Sequence, residues 1–189
     1  MAHQYPALIT QRLRLQPLEL ADAPAIEAIF PQWEIVRYLT ALIPWPFPPG
    51  ETERFLREVA LPAIAEGREW QWSIRRLAEP DTLIGIMHLR DGESDHRGFW
   101  LDPRWQRQGY MAEACAAATA FWFEVLGRPV LRAPKAAANV ASRRISERSG
   151  MRLVGVEERE YVAGRMDAEI WEITAEEWRA RSRKQSASL

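Results

Sequence analysis

The stretch Leu101-Asp102-Pro103-Arg104-Trp105-Gln106-Arg107-Gln108-Gly109-Tyr110-Met111-Ala112-Glu113-Ala114 carries residue types that could hold an anion. Just upstream, Gly98-Phe99-Trp100-Leu101 is a short apolar run that Asp102-Pro103 stops. Just downstream, Met111, Cys115, Ala118, Trp122 and Val125 recur at helical spacing and form one apolar stripe. The segment reads as strand, polar turn, then helix, with Gln106 to Gly109 at the helix entrance. A helix start exposes unpaired N–H groups and the positive end of the dipole, and Gly109 lets an anion approach the backbone. Arg104 and Arg107 add positive charge. A Walker loop would need a Gly-Lys-Ser/Thr ending and a dinucleotide fingerprint three spaced glycines, and neither occurs. The pattern reads either as a phosphate cradle of another kind or as a plain strand-turn-helix connection.

The elements that position this turn follow from length and periodicity. The 189 residues suit one domain over 1–178, and 179–189 read as a frayed basic tail. With 25 basic against 26 acidic residues there is no electrostatic case for nucleic acid or an anionic membrane. The lone Cys115 sits on the apolar stripe and cannot form an internal disulfide. No signal-peptide pattern and no long apolar run is found, so a soluble, cytoplasmic protein is expected. His88 falls on an apolar strand, and no His/Cys cluster suggests a metal.

Residues 8–15 alternate as a strand through Leu13 and Leu15. Ile26, Ile29, Phe30 and Trp33 line one face of a helix, and Phe55, Leu56, Val59 and Ile64 one face of a second. Between them, Pro44-Trp45-Pro46-Phe47-Pro48-Pro49-Gly50 cannot be regular structure, because prolines lack the amide donor. Strands follow over 70–74, 83–89, 98–101, 130–132, 153–156 and 169–173, with a helix over 141–149 ended by Gly150. The expected fold is mixed α/β (α+β), a mostly antiparallel sheet of about seven strands flanked by helices, in the order β-α-α-β-β-β-α-β-α-β-β.

That order, with four sequence anchors, resembles the GNAT superfamily of N-acetyltransferases, in particular its RimJ/RimL branch. The anchors are Thr10-x-Arg12-Leu13-x-Leu15, the strand Gly98-Phe99-Trp100-Leu101, the loop Gln106-x-x-Gly109-x-Met111, and Asn139-x-x-Ser142 followed by Glu147-x-x-Gly150-Met151. Arg107 stands where that family often has glycine, and Met111 where it often has glycine or alanine. The resemblance implies transfer of an acetyl group from acetyl-CoA to a primary amine by direct attack in a ternary complex, without a metal. The amine would be a protein N-terminus, such as that of a ribosomal protein, or a small molecule. A longer acyl group, an antibiotic or polyamine acceptor, or a CoA-binding module without turnover are the alternatives, and a homodimer is compatible with the branch.

Site assignments follow from the same resemblance. Gln106, Arg107, Gln108, Gly109, Tyr110 and Met111 would hold the CoA pyrophosphate. Amides near Phe99, Trp100 and Leu101 would face the thioester, and Asn139 and Ser142 the pantetheine arm. Glu160 is the candidate base, Ser142 the candidate acid for the thiolate, and His96 the competing base. Trp45 and Phe47 would wall the acceptor pocket. Each has a plainer alternative: Asn139 as a helix cap, Ser142 as a first-turn serine, Glu160 and His96 as surface groups, and Trp45 as a core ring.

Overall fold

The computed structural model of the chain describes residues 5–186. Leu13 and Leu15 are fully buried while Arg14 between them is exposed, the alternation that a half-buried strand imposes. They belong to β2 (Leu13–Pro17), which folds back on β1 (Leu8–Ile9). The single strand expected over 8–15 is therefore a hairpin. Its turn closes where the Thr10 hydroxyl accepts the Leu13 N–H at 2.9 Å.

Strands β3 (Glu69–Arg76), β4 (Glu79–Arg90) and β5 (Arg97–Leu101) continue an antiparallel sheet in the order β1-β2-β3-β4-β5. A second antiparallel sheet has the order β6-β8-β7, from β6 (Val130–Ala136), β7 (Arg152–Tyr161) and β8 (Gly164–Thr174). The mixed α/β fold with antiparallel pairing is as expected, with its strands divided between two sheets.

Helices α1 (Ala23–Ile29) and α2 (Trp33–Val36) cover one face of the first sheet. With them lies a helix made of α3 (Glu51–Phe55), a π-type turn (Leu56–Ala60) and α4 (Leu61–Ala65). Ile26, Leu56, Ala60 and Ile64 pack there against Leu83 and Ile86. The opposite face carries α5 (Tyr110–Ala120), whose Met111, Ala114, Cys115 and Ala118 meet Trp72, Ile74, Met87 and Leu89. Helices α6 (Val140–Arg148) and α7 (Ala175–Ser186) complete the chain.

Four expectations are corrected here. Phe55 and Val59 are 40% and 44% exposed, and Val125 is 64% exposed. In both helices a π-type turn (Leu56–Ala60 and Phe121–Val125) inserts i→i+5 bonding, which takes Val59 and Val125 out of the 3.6-residue phase. Phe55 precedes its turn and stands beside the buried line Thr52, Leu56 and Ala60. Trp33 leaves the α1 face because the chain breaks at Pro31; it opens α2, is 42% exposed, and lies 5.8 Å from Trp45. Much of the supposed frayed tail is helix. In α7, Trp178 packs on Phe123 at 5.4 Å and Arg181 Nη2 donates to the Arg148 carbonyl at 2.7 Å. Residues 187–189 lie outside the described residues.

Candidate active site between two splayed sheets

The two sheets are joined by hydrogen bonds at His96 and Arg132. The His96 N–H donates to the Arg132 carbonyl at 2.9 Å, and the Arg132 N–H donates to His96 Nδ1 at 2.8 Å. An Nδ1 that accepts must hold a lone pair, so the ring proton sits on Nε2 and bonds the Gly92 carbonyl at 2.8 Å. The ring is 4% exposed and stacks on Trp122 at 5.0 Å. With both nitrogens engaged, His96 has no free lone pair with which to take a proton from an amine. This corrects the competing-base assignment: His96 is the pin at the apex of the two sheets.

Beyond that pin β5 and β6 run on without pairing, and a gap opens between them. The direction of the β5 amides follows from the β4–β5 ladder, in which bonded and non-bonded residues alternate. Asp102 N–H donates to the Ile84 carbonyl at 2.8 Å, so by alternation Trp100 and Gly98 also bond to β4. Phe99 and Leu101 then face the gap. In agreement, the Leu101 carbonyl points outward and accepts from Gln106 Nε2 at 3.0 Å. The structure thus separates the three expected residues. Phe99 and Leu101 offer outward amides, while Trp100 commits its backbone to β4 and packs its ring toward α1.

The gap leads to the start of α5. Gly109 is its N-cap at φ 82° with no side-chain cap, and the first closing bond runs from Glu113 N–H to the Gly109 carbonyl. The amides of Tyr110, Met111 and Ala112 therefore project from the helix end, where an anion is favoured. Arg107 has φ 62°, a left-handed conformation that costs a non-glycine residue about 1–2 kcal/mol. That explains physically why a glycine would be easier there.

This turn is held from outside by the first sequence anchor. Glu113 accepts from the Thr10 hydroxyl (2.6 Å), the Arg12 N–H (2.8 Å) and Arg12 Nε (2.7 Å). Arg12 Nη1 reaches the Gln108 carbonyl at 3.0 Å, and its guanidinium lies 4.4 Å over the Tyr110 ring. Burial alone would raise the Glu113 carboxyl, but the Thr10 and Arg12 bonds outweigh it and hold it below the usual range. Thr10 and Arg12 are thus a clasp on the cradle. Arg104 instead grips the buried Asp102 at 2.6 Å, an ion pair within the turn.

On the far side of the gap, Asn139 caps α6 by accepting from the Ser142 N–H at 3.2 Å, and Ser142 is buried in the first turn. The cap occupies only the Asn139 carbonyl oxygen and leaves its amide NH2 for a ligand. On β6, Leu131, Ala133 and Lys135 alternate toward α5, and all three are buried. Lys135 Nζ lies 4.3 Å over the Phe99 ring. Burial, then the neighbouring Arg97, pushes its ammonium down to about 7. Sequence reasoning passed over Lys135, although an ionisable residue in the phase of Leu131 and Ala133 was a legible signal.

The opposite face of the gap is aromatic. Trp100 and Phe47 each lie 5.3 Å from Phe30, and Trp45, 41% exposed, packs on Trp33. The proline loop therefore closes over α1 and α2 beside Trp100. The chain after α2 joins β7, with Ala41 N–H to the Glu160 carbonyl at 3.2 Å and Val162 N–H to the Leu39 carbonyl at 3.0 Å. Tyr161 is buried against Tyr38, Ala136 and Ala168, and its hydroxyl has no partner. Adjacent strand residues point to opposite faces, so Glu160 turns away from this wall. Its carboxylate is 55% exposed and pairs with Arg165 at 2.7 Å.

The residues present suit a pantetheine chain ending in a pyrophosphate: outward amides along β5, then projecting amides at α5, with the Asn139 amide opposite. Among the described residues no cluster of His, Cys, Asp and Glu could hold a metal.

The comparisons agree with this geometry. The acetyltransferase (GNAT) domain family matches residues 12–152. Among solved structures, the GNAT-family acetyltransferase from Bacillus anthracis superposes with TM-score 0.74 at 20% identity, covering 90% of this chain and 99% of that one. RimL, a ribosomal L7/L12 alpha-N-protein acetyltransferase in complex with coenzyme A, gives 0.76 at 17% identity, covering 91% and 99%. The ribosomal-protein-S5-alanine acetyltransferase from Vibrio fischeri gives 0.71 at 17%, covering 92% and 99%. No curated protein sequence matches. A family match over the cradle, the gap and α6 places the chain plainly: it belongs to the GNAT acetyltransferase family.

Proposed function

We propose that the protein transfers an acetyl group from acetyl-CoA to a primary amine by direct attack in a ternary complex, the amine being a protein N-terminus or a small molecule. One observation carries this reading: the Phe99 and Leu101 amides line a gap that leads to the N-terminus of α5, which no side chain caps.

An acyl transfer needs donors aimed where carbonyl charge develops, and a rigid strand amide costs no reorganisation to supply it. The Phe99 amide is such a donor. The amides of Tyr110 to Ala112 hold the phosphate end, and Asn139 orients the arm between. The aromatic wall of Phe30, Phe47, Trp45 and Trp100 receives the amine on the other face, since Trp faces attract ammonium groups before they lose their proton. With an α-amino pKa of about 8, a useful fraction of such an amine is neutral near pH 7. The similarity to ribosomal-protein acetyltransferases favours an N-terminal amine over a lysine, whose pKa of about 10.4 leaves far less neutral form.

A panel of acyl-CoAs with amines and N-terminal peptides, read by free-thiol release, tests this. Turnover with acetyl-CoA and an amine is expected. Preference for longer acyl groups would redirect the donor, and CoA binding without turnover on any amine would leave a binding module.

A further inference from the structure

Two basic side chains lie buried beside the gap, and among the described residues neither forms an ion pair. Arg97 is 2% exposed and donates to the Thr119 hydroxyl at 2.9 Å and the Met151 sulfur at 3.4 Å, and its Nε has no partner. Lys135 is 6% exposed and has neither a hydrogen bond nor an ion pair among the described residues; its Nζ lies 4.3 Å over the Phe99 ring. Buried charges are ordinarily paired, because leaving water uncompensated is costly.

The groups packed around Lys135 do not supply the missing anion. From β5 comes Arg97, from α5 the buried Cys115, whose thiol burial pushes up, and from the turn before β5 the more distant Asp95. Glu169 stands opposite Lys135 on β8, but its Oε2 accepts from Arg143 Nε (2.6 Å) and Trp171 Nε1 (3.1 Å), and Arg143 balances its charge. Arg97 and Lys135 together place positive charge beside Phe99, on the α5 side of the gap. The aromatic wall lies on the other side. With acetyl-CoA laid along Phe99 as proposed above, a group on the α5 side would face the donor rather than the amine.

We propose that Lys135 is a catalytic residue of the transfer, its ammonium giving a proton to the CoA sulfur as the thioester breaks, with Arg97 as a fixed positive charge behind it. The proposal rests on the placement of acetyl-CoA in the gap. The amine lone pair forms the C–N bond, and the C–S bond breaks with its electron pair going to sulfur. Sulfur takes a proton from the Lys135 ammonium, leaving a neutral amine. The new amide nitrogen loses its proton to water, and water recharges Lys135. The products are amide and thiol. An ammonium near 7 suits this cycle, because it both gives up and regains a proton near neutral pH.

The position is tested without turnover. In a Cys115→Ala background, Lys135→Cys should form a mixed disulfide with oxidised CoA, seen as one CoA adduct by intact mass and blocked by excess acetyl-CoA. Calorimetry of CoA on the unmodified protein is the reference. If CoA binds but no adduct forms, Lys135 does not reach the sulfur and the proposal is overturned. If CoA does not bind the unmodified protein at all, the placement of acetyl-CoA fails first. The proton role is read separately with Lys135→Met. Its kcat should fall by roughly 10²-fold, the low end for a general acid given a thiol pKa of about 8.5. The alkaline fall of the pH profile should disappear while CoA affinity changes little. A profile that keeps its alkaline limb would remove Lys135 from the proton path.

Discussion

Replacing Lys135 with methionine should make the protein more stable, by an amount that shrinks as pH rises. Methionine keeps the length of the side chain and removes a charge that has no partner. In the folded chain burial, and then Arg97, lowers the ammonium from 10.5 to about 7. The folded value lies below the unfolded one, so between them the unfolded chain binds the extra proton and wild-type stability rises with pH. Each unit is worth about 1.36 kcal/mol, which sets a ceiling of about 5 kcal/mol for the full interval. Between pH 6 and pH 9.5, part of that interval, the variant's advantage should fall by about 3 kcal/mol. Urea denaturation of both proteins at pH 6, 7.5 and 9.5 measures it. A difference that stays constant across these three values would show that Lys135 is charged and solvated throughout, and the reasoning from burial would be wrong.

His96→Ala should cost roughly 3 kcal/mol by thermal or chemical denaturation, because it strands the Arg132 and Gly92 groups and empties a ring site against Trp122; a stable variant with a large kcat loss would restore His96 as a base. Glu113→Gln should cost about 2 kcal/mol at pH 7 by loosening the Thr10–Arg12 clasp. Because the Glu113 carboxyl sits below its usual range, that contribution is present above the unfolded value of about 4.3 and is lost as pH falls through the folded one, so the deficit should fade in acid. Trp45→Ala should raise the acceptor KM more than the acetyl-CoA KM in steady-state kinetics; equal changes would place that ring outside the acceptor wall. Glu160→Gln should leave kcat near wild type, since its carboxylate is exposed and held by Arg165, whereas loss of a positioned base would cost about 10²–10⁴-fold.

What was legible in the sequence was local. The cradle fits within fourteen consecutive residues, Leu101 to Ala114, where turn chemistry and helix phase act over short range, and the helix starts at Tyr110 as its Gly109 cap requires. The Thr10–Leu15 anchor was legible as a pattern, but its purpose was not, because Glu113 lies about a hundred positions away. The gap was not legible from periodicity, since β5 and β6 each read as ordinary strands and only their lack of pairing opens the site. His96 likewise takes its meaning from the Arg132 backbone, 36 positions on. Val59 and Val125 were misplaced for a different reason: a π-type turn changes the period, and a 3.6-residue count cannot register it.

The central claim is that the gap between β5 and β6, continued by the start of α5, is the acetyl-CoA site. A crystal structure of the protein with CoA tests it most directly. The account predicts pyrophosphate oxygens on the amides of Tyr110, Met111 and Ala112, the pantetheine chain along Phe99 and Leu101, and the thiol within reach of Lys135. CoA lying outside the gap, or β5 and β6 joined there by backbone hydrogen bonds, would contradict it.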